Sequence, residues 1–317
     1  MRKIVLLDME NIGTDISPDP FRAFGELVIF DNTAPDEIAE RIADADIVLT
    51  NKCRLDRSNL AGAEKLQLIC IAATGFDNID VAWCRENGVA VCNVKGYSTD
   101  CVSQLTVAIA LSLSMHLKEY GTYVADGSYT ASGRFNLLTP QFHELRGKTW
   151  GIVGAGNIGL QVARVAEALG CRVIVYQRHP NSFYPTVSLE ELCLSADIIS
   201  LHVPLSDSTR GLIGAHQIEL MKDGVMLINA ARGAVTDEKA VAMAVESGRI
   251  GAFGSDVYSQ EPFPEDHPFY AIKDRPNVLL TPHMAWGAVE TRLRLINEMA
   301  ENIRAFLVGE VRNRVDL

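Results

Sequence analysis

Gly154-Ala-Gly156-Asn-Ile-Gly159 stands between a short β-rich run, Thr149–Val153, and an apolar helical stretch carrying Ile158, Val162, Val165, Ala166 and Leu169. This context constrains the fold more than any other feature of the chain. A strand, a glycine turn and a helix, followed by the strand-like Arg172–Tyr176, make the opening unit of a dinucleotide-binding domain. Gly154 permits the tight turn, Gly156 lets backbone approach a pyrophosphate, and Gly159 lets helix and strand pack closely. The helix begins at Asn157 and Ile158, with free N–H groups facing the anion. Strand-like runs recur at Asp197–Leu201, Val225–Asn229, Ile250–Asp256 and Val278–Thr281, so six strands complete a parallel sheet.

A second alternating series precedes it. Ile4–Leu7, Leu27–Phe30, Ile47–Thr50, Leu66–Ala73 and Val89–Val94 read as strands, with helices near Pro35–Ala43 and Ile79–Asn87. Alternation of this kind means parallel βαβ units. Thr99–Val124 reads as one long buried helix leading out of this series, and the polar stretch Asp126–Gly133 ends it. Near the C-terminus, Val289, Leu293, Ile296, Met299, Ile303 and Phe306 recur at helical spacing, an apolar stripe that needs a partner. Placed back on the first series, that helix makes the first domain discontinuous. The expected class is therefore α/β, with two Rossmann-like domains of parallel sheet. A cofactor domain, residues 101–284, is inserted into a substrate domain of residues 1–100 and 285–317.

Composition excludes several functions. The 317 residues carry 29 basic and 40 acidic side chains, a net charge of −11, which argues against a nucleic-acid or anionic-membrane surface. No apolar run approaches the roughly 20 residues that span a bilayer, and the N-terminus is too short in apolar residues for a signal peptide, so a cytoplasmic protein is expected. Seven cysteines, without a C-x-x-C, indicate neither a disulfide frame nor a metal site.

Three ionisable residues each follow a strand-like run: Arg232 in Asn229-Ala-Ala-Arg-Gly233, Glu261 in Asp256-Val-Tyr-Ser-Gln-Glu-Pro262, and His283 in Thr281-Pro-His-Met-Ala285. The three are expected at one sheet edge, where open α/β sheets carry their chemistry. A cation, a carboxylate and an imidazole there suit proton transfer at a polarised carbonyl. Where the ribose-binding acid is expected, the chain has Gln177, followed by Arg178. Without a carboxylate, repulsion against a 2′-phosphate is absent. Arg178 either pairs with that phosphate or is a solvated loop cation, so the cofactor reads as NAD or NADP, with NADP favoured.

Several motifs together resemble the D-isomer-specific 2-hydroxyacid dehydrogenases: Ala73-Thr-Gly-Phe-Asp-Asn78, Leu145-Arg-Gly-Lys-Thr-Trp-Gly151, the glycine fingerprint, His202-Val-Pro-Leu205 with Thr209, Asn229–Gly233, Asp256–Pro262 and Thr281-Pro-His283. The run Thr281–Arg292 and Gly96-Tyr-Ser-Thr-Asp100 look most like the glycerate dehydrogenase (hydroxypyruvate/glyoxylate reductase) branch. The resemblance implies reduction of a small 2-oxo acid to a D-2-hydroxy acid with NAD(P)H and no metal. His283 would be general acid and base, Glu261 would orient the imidazole and favour its charged form, and Arg232 would clamp the substrate. The resemblance also implies cofactor contacts from His202, Val203, Pro204, Thr209, Asn229, Ala230, Ala231 and Asp256, the last to the nicotinamide carboxamide. Backbone N–H groups of Thr74, Gly75 and Phe76 would grip the substrate carboxylate beside Asn51 and Lys52. Phe76 alternatively packs at a strand end, and Trp286 either walls the substrate or plugs a domain interface.

The site would lie in a cleft between the domains, and a homodimer through the cofactor domain is implied, with Val102–Met115 available as its interface. His116 reads as a core or interface residue, and His143, His179, His216 and His267 as loop residues. Gln177 and Gln104 depart from the usual acidic residues. Two alternatives remain: a D-lactate-type dehydrogenase acting on other 2-oxo acids, or a nicotinamide-sensing, corepressor-like binding protein. Related formate dehydrogenases pair the histidine with glutamine, so Glu261 argues against them.

Overall fold

The structure is a computed structural model, and it describes residues 1–178 and 183–317. His179 lies outside the described residues. The chain divides into two compact units, one formed by Met1–Tyr97 with Gly287–Leu317 and the other by Ser98–Trp286. Both are α/β with wholly parallel sheets, the fold class read from the alternation of strand and helix.

In the first unit, β1 (Lys3–Leu6), β2 (Glu26–Ile29), β3 (Ile47–Thr50), β4 (Leu68–Ile71) and β5 (Ala90–Cys92) form one sheet in the order β2-β1-β3-β4-β5. Ile4 lies across from Ile47, and Val48 across from Ile69. All four residues of β3 and of β4 are buried, as expected of parallel strands covered on both faces. Strand order reverses between β1 and β3, so residues just past these strands line a switch point.

The helix Val289–Leu307 packs on β4 and on the 3-10 turn Asp19–Phe24 of the same unit. Its buried stripe differs from the apolar count. Val289 and Leu293 are exposed, and Thr291, Leu295 and Asn302 are buried with Ile296, Met299 and Ile303. Polar members hid this face from a purely apolar reading. Asn302 is tolerated there because its Nδ2 donates to the Asn93 carbonyl at 2.9 Å.

In the second unit, β6 (Thr149–Val153), β7 (Arg172–Tyr176), β8 (Ile198–Leu201), β9 (Val225–Asn229), β10 (Ile250–Ser255) and β11 (Val278–Leu280) lie in the order β7-β6-β8-β9-β10-β11. Alternation along β6 sends Trp150 and Ile152 into a core with Ile109, Val162 and Ala166, and Val153 into the opposite core with Leu192, Leu201 and Leu227. The order reverses at β6 and β8.

The expected single helix over Thr99–Val124 is two, Thr99–Ser114 and Leu117–Ala125, bent by 67°. The break is His116, whose φ of 51° is left-handed and ends the first helix, while its imidazole meets Glu119 at 2.7 Å in the first turn of the second. His116 therefore serves as a joint rather than as core. Among the described residues no single helix is long and apolar enough to cross a membrane.

Candidate active site

The carboxyl ends of β9, β10 and β11 lie side by side, with Ser255 across from both Asn229 and Leu280. Arg232 follows Asn229 by three residues, Glu261 follows Ser255 by six, and His283 follows Leu280 by three, so the register alone sets them at one edge. The loops then bring two of them into contact. His283 Nδ1 meets Glu261 Oε2 at 2.6 Å, with both side chains partly open to solvent. Arg232 arrives by backbone packing. A Cβ on the next residue, Gly233, would lie 2.0 Å from the Tyr258 carbonyl carbon and 2.2 Å from Ser259 N, so only glycine lets the Arg232 turn rest on the Glu261 loop. Asn229 shapes that turn: its Nδ2 donates to the Arg232 carbonyl at 2.9 Å and its Oδ1 accepts Ala231 N–H at 3.0 Å.

The loop carrying His283 is held by Asp256. Its Oδ1 accepts from the Thr281 hydroxyl at 2.6 Å and from Met284 N–H at 2.9 Å, and its Oδ2 accepts Ala285 N–H at 2.9 Å. Burial pushes the Asp256 carboxyl up against the lowering effect of these bonds. His283 sits at φ 51°, a left-handed conformation costing about 1–2 kcal/mol for a residue with a Cβ. The three bonds to Asp256 stabilise the loop in that shape and aim the imidazole at Glu261. Tyr258 joins the two loops: its N–H donates to Glu261 Oε1 at 3.0 Å, and its phenol donates to the Thr281 carbonyl at 2.8 Å. No local pattern marks Tyr258 as part of the site, because its importance lies in two contacts made only in the fold.

At the switch point of the same sheet, Gly154 turns at φ 95°, and a Cβ there would lie 2.9 Å from the His202 carbonyl. Gly159 packs so closely that its Cβ would lie 2.0 Å from the Gly154 oxygen. A Cβ on Gly156, by contrast, would meet no protein atom within 4 Å. Gly156 caps the helix Asn157–Ala168 without a side-chain hydrogen bond. Backbone N–H groups of Asn157, Ile158 and Gly159 thus begin a twelve-residue helix beside open space, which fits a pyrophosphate. His202 adds an orphaned polar atom. Its Nε2 meets the Ser200 hydroxyl at 2.9 Å, while its buried Nδ1 has no hydrogen-bond partner. Burial pushes this imidazole down to about 3. The Thr209 hydroxyl holds the following turn, donating to the Pro204 carbonyl at 2.6 Å and accepting Ser206 N–H at 2.8 Å, which fixes Val203 and Pro204 against the glycine turn. Past β7, Gln177 Nε2 contacts the Thr186 hydroxyl at 3.4 Å, and the exposed Arg178 contacts the Ser208 hydroxyl.

The first unit gathers its own candidates. Asn51 N–H donates to both oxygens of Asp8, at 2.9 and 3.1 Å, and Lys52 N–H donates to Asp8 Oδ2 at 2.7 Å. Asp8 follows β1, so it fills the switch point of that sheet; burial pushes its carboxyl up. A lone acid after a first strand was the available signal for this anchor. The Asn51 side chain donates to the Ala72 carbonyl at 2.6 Å, and its buried Oδ1 has no partner. Asn78 Nδ2 donates to the Cys53 carbonyl at 2.9 Å, which ties the loop of Thr74, Gly75 and Phe76 to the loop of Asn51 and Lys52. Thr74 itself donates to the Val94 carbonyl at 2.7 Å. Phe76 is exposed, so it is not plain packing at a strand end. Trp286 is the last residue of the second unit.

A doubly wound sheet with a glycine turn at its switch point, and an acid-held imidazole at the strand edge that also carries Arg232, is the frame of a nicotinamide-dependent oxidoreductase. Residues 107–285 match the family model described as D-isomer specific 2-hydroxyacid dehydrogenase, NAD binding domain, and the chain belongs to this family, in its glycerate dehydrogenase branch. It is 35% identical to a glycerate dehydrogenase of Methylorubrum extorquens over 99% of both chains. It is 33% identical to a hydroxypyruvate reductase of Blautia hydrogenotrophica, again over 99% of both. The structure superposes on a D-lactate dehydrogenase of Aquifex aeolicus, complexed with NAD and lactic acid, at a TM-score of 0.86 and 27% identity, covering 100% of this chain and 99% of that one.

Proposed function

We propose that the protein reduces hydroxypyruvate or glyoxylate to D-glycerate or glycolate with NAD(P)H. The observation that carries this reading is the 2.6 Å contact between His283 Nδ1 and Glu261 at the ends of neighbouring strands. An ionised carboxylate only accepts, so the proton in that contact belongs to Nδ1, and Nε2 is the ring atom that faces substrate. Nε2 gives its proton to the carbonyl oxygen during reduction and takes it back in the reverse direction. Arg232 holds the substrate carboxylate by charge-assisted hydrogen bonds and polarises the carbonyl; within the first unit, the N–H groups of Thr74, Gly75 and Phe76, with Asn51, are the groups suited to a carboxylate. Trp286 limits substrate size.

The nicotinamide, when bound, supplies the hydride. Asn157, Ile158 and Gly159 would hold its pyrophosphate, and the orphaned His202 Nδ1 would gain a partner in the same groove, beside Ala230, Ala231, Val203 and Pro204. An ionised carboxylate has about four acceptor sites, so Asp256 retains capacity for a carboxamide N–H beyond its three loop contacts. Gln177 and Arg178 favour NADP, because an amide in place of the expected acid does not repel a 2′-phosphate and the adjacent guanidinium suits pairing with one.

The protein acts on a small acid rather than on nucleic acid or membrane, consistent with its net charge of −11. Its seven free thiols support a reducing, cytoplasmic setting. A homodimer through the second unit is supported by the segment from Leu117 to Phe142, which carries exposed apolar side chains at intervals, among them Phe135, 93% exposed, and Leu138, 70%. This segment, rather than Thr99–Ser114, is the available surface, since Ile109, Ala110 and Leu113 of that helix are spent on the unit's own core.

Steady-state rates with hydroxypyruvate, glyoxylate, pyruvate and phenylpyruvate, each with NADPH and NADH, test the reading. The highest kcat/KM is expected for hydroxypyruvate or glyoxylate, with NADPH at least equal to NADH. Preference for pyruvate would assign a D-lactate-type enzyme, and no turnover with cofactor still bound would assign a sensor.

A further inference from the structure

Another His–Glu pair of the second unit is linked to the Glu261 loop through Ser259 and is absent from the proposed chemistry. Glu238 and His267 are both buried, and their side chains meet at 3.0 Å between Oε2 and Nε2. His267 Nδ1 accepts Phe269 N–H at 3.1 Å, so the ring proton sits on Nε2 and is donated to Glu238. The rings of Tyr258, Phe263 and Phe269 surround this imidazole, with centroids 5.1 to 6.2 Å away. The Glu238 carboxylate accepts two further donors from one residue: Ser259 N–H at 2.8 Å, and the Ser259 hydroxyl. A carboxylate is needed here, because three donors converge and an amide nitrogen cannot accept.

The place of this network in the chain gives it consequence. Ser259 stands two residues before Glu261, and its neighbour Tyr258 supplies the N–H that holds Glu261 Oε1. Glu238 stands six residues after Arg232, joined to it by the 3-10 turn Gly233–Val235 that rests on Tyr258 and Ser259. We propose that Glu238, locked by His267, is a positioning residue that sets the Glu261 loop against the Arg232 turn and thereby keeps Glu261 on His283 Nδ1. The inference rests on the roles proposed for Arg232, Glu261 and His283. A purely structural pair would stabilise the fold without affecting His283; a positioning residue also governs which nitrogen of His283 carries the proton.

The test compares wild type with Glu238→Gln, Ser259→Ala and His267→Gln. Three quantities are read: kcat against KM, cofactor dissociation by nicotinamide fluorescence, and the His283 tautomer from imidazole 15N shifts, assigned by loss in His283→Ala. Glu238→Gln is expected to lower kcat on the order of tenfold, to leave cofactor affinity within about twofold, and to shift the resting tautomer of His283 away from Nδ1–H. His267→Gln, which keeps a donor toward Glu238, is expected to retain most of the wild-type kcat and of the wild-type tautomer. If Glu238→Gln does not fold, Ser259→Ala, which deletes one hydroxyl on the surface, is expected to show the same changes in smaller degree. Variants that only unfold more readily, with kcat and the His283 spectrum unchanged, would overturn the positioning role. The tautomer is read without turnover, so a wild type inert toward every 2-oxo acid would defeat the proposed reaction and leave this inference to stand or fall on the spectrum.

Discussion

His202 shows what one residue at the switch point does to the molecule. Its sequence setting, before Val203 and Pro204 and after an apolar strand, suggests a groove-lining role but not its sealed ring nitrogen, which is a property of the folded packing alone. With the folded value near 3 and the unfolded value about 6.5, the folded chain binds fewer protons through this group. Its contribution to stability is complete above the unfolded value and is lost as pH falls from about 6.5 toward 3, at up to about 1.4 kcal/mol per pH unit. Urea unfolding of wild type and His202→Asn at pH 7, 5.5 and 4.5 checks this. The wild type is expected to lose stability more steeply with acid; parallel losses would show that His202 titrates normally.

Loops rather than strands carry the chemistry, and they differ in how far they can be read. β3, β6, β7 and β9 coincide with runs of β-rich residues, because burial on both faces demands continuous apolar sequence. Arg232, Glu261 and His283 were legible for a related reason: a charged residue just past a buried strand has no packing role, so three of them imply one edge. The contacts that aim them were not legible. Tyr258 joins the Glu261 and His283 loops through its N–H and its phenol, 23 residues from its partner Thr281, and Asp256 turns toward the His283 loop by tertiary hydrogen bonds. The break at His116 escaped for the opposite reason, since an apolar run continues across a single left-handed residue. Tyr258→Phe keeps the N–H to Glu261 and deletes the phenol's bond to Thr281. It is expected to cost about 0.5–1.5 kcal/mol of stability and to lower kcat on the order of tenfold, measured by thermal unfolding and initial rates. Unchanged kcat would show that the His283 loop does not depend on that bond.

At the scale of the whole molecule, two sheets formed one after the other along the chain divide the candidate groups, Asp8, Asn51 and Thr74 in one unit, Gly156, Arg232 and His283 in the other. The exposed apolar side chains of the second unit give an expectation about assembly. Wild type should sediment as a dimer at micromolar concentration, and Phe135→Asp with Leu138→Asp should shift it toward monomer. A monomeric wild type would leave that surface unexplained. The central claim concerns His283 as the proton donor, and His283→Ala tests it most directly. The variant is expected to bind NADPH as wild type does while kcat with hydroxypyruvate falls by about a hundredfold or more. A variant retaining wild-type kcat would contradict the assignment.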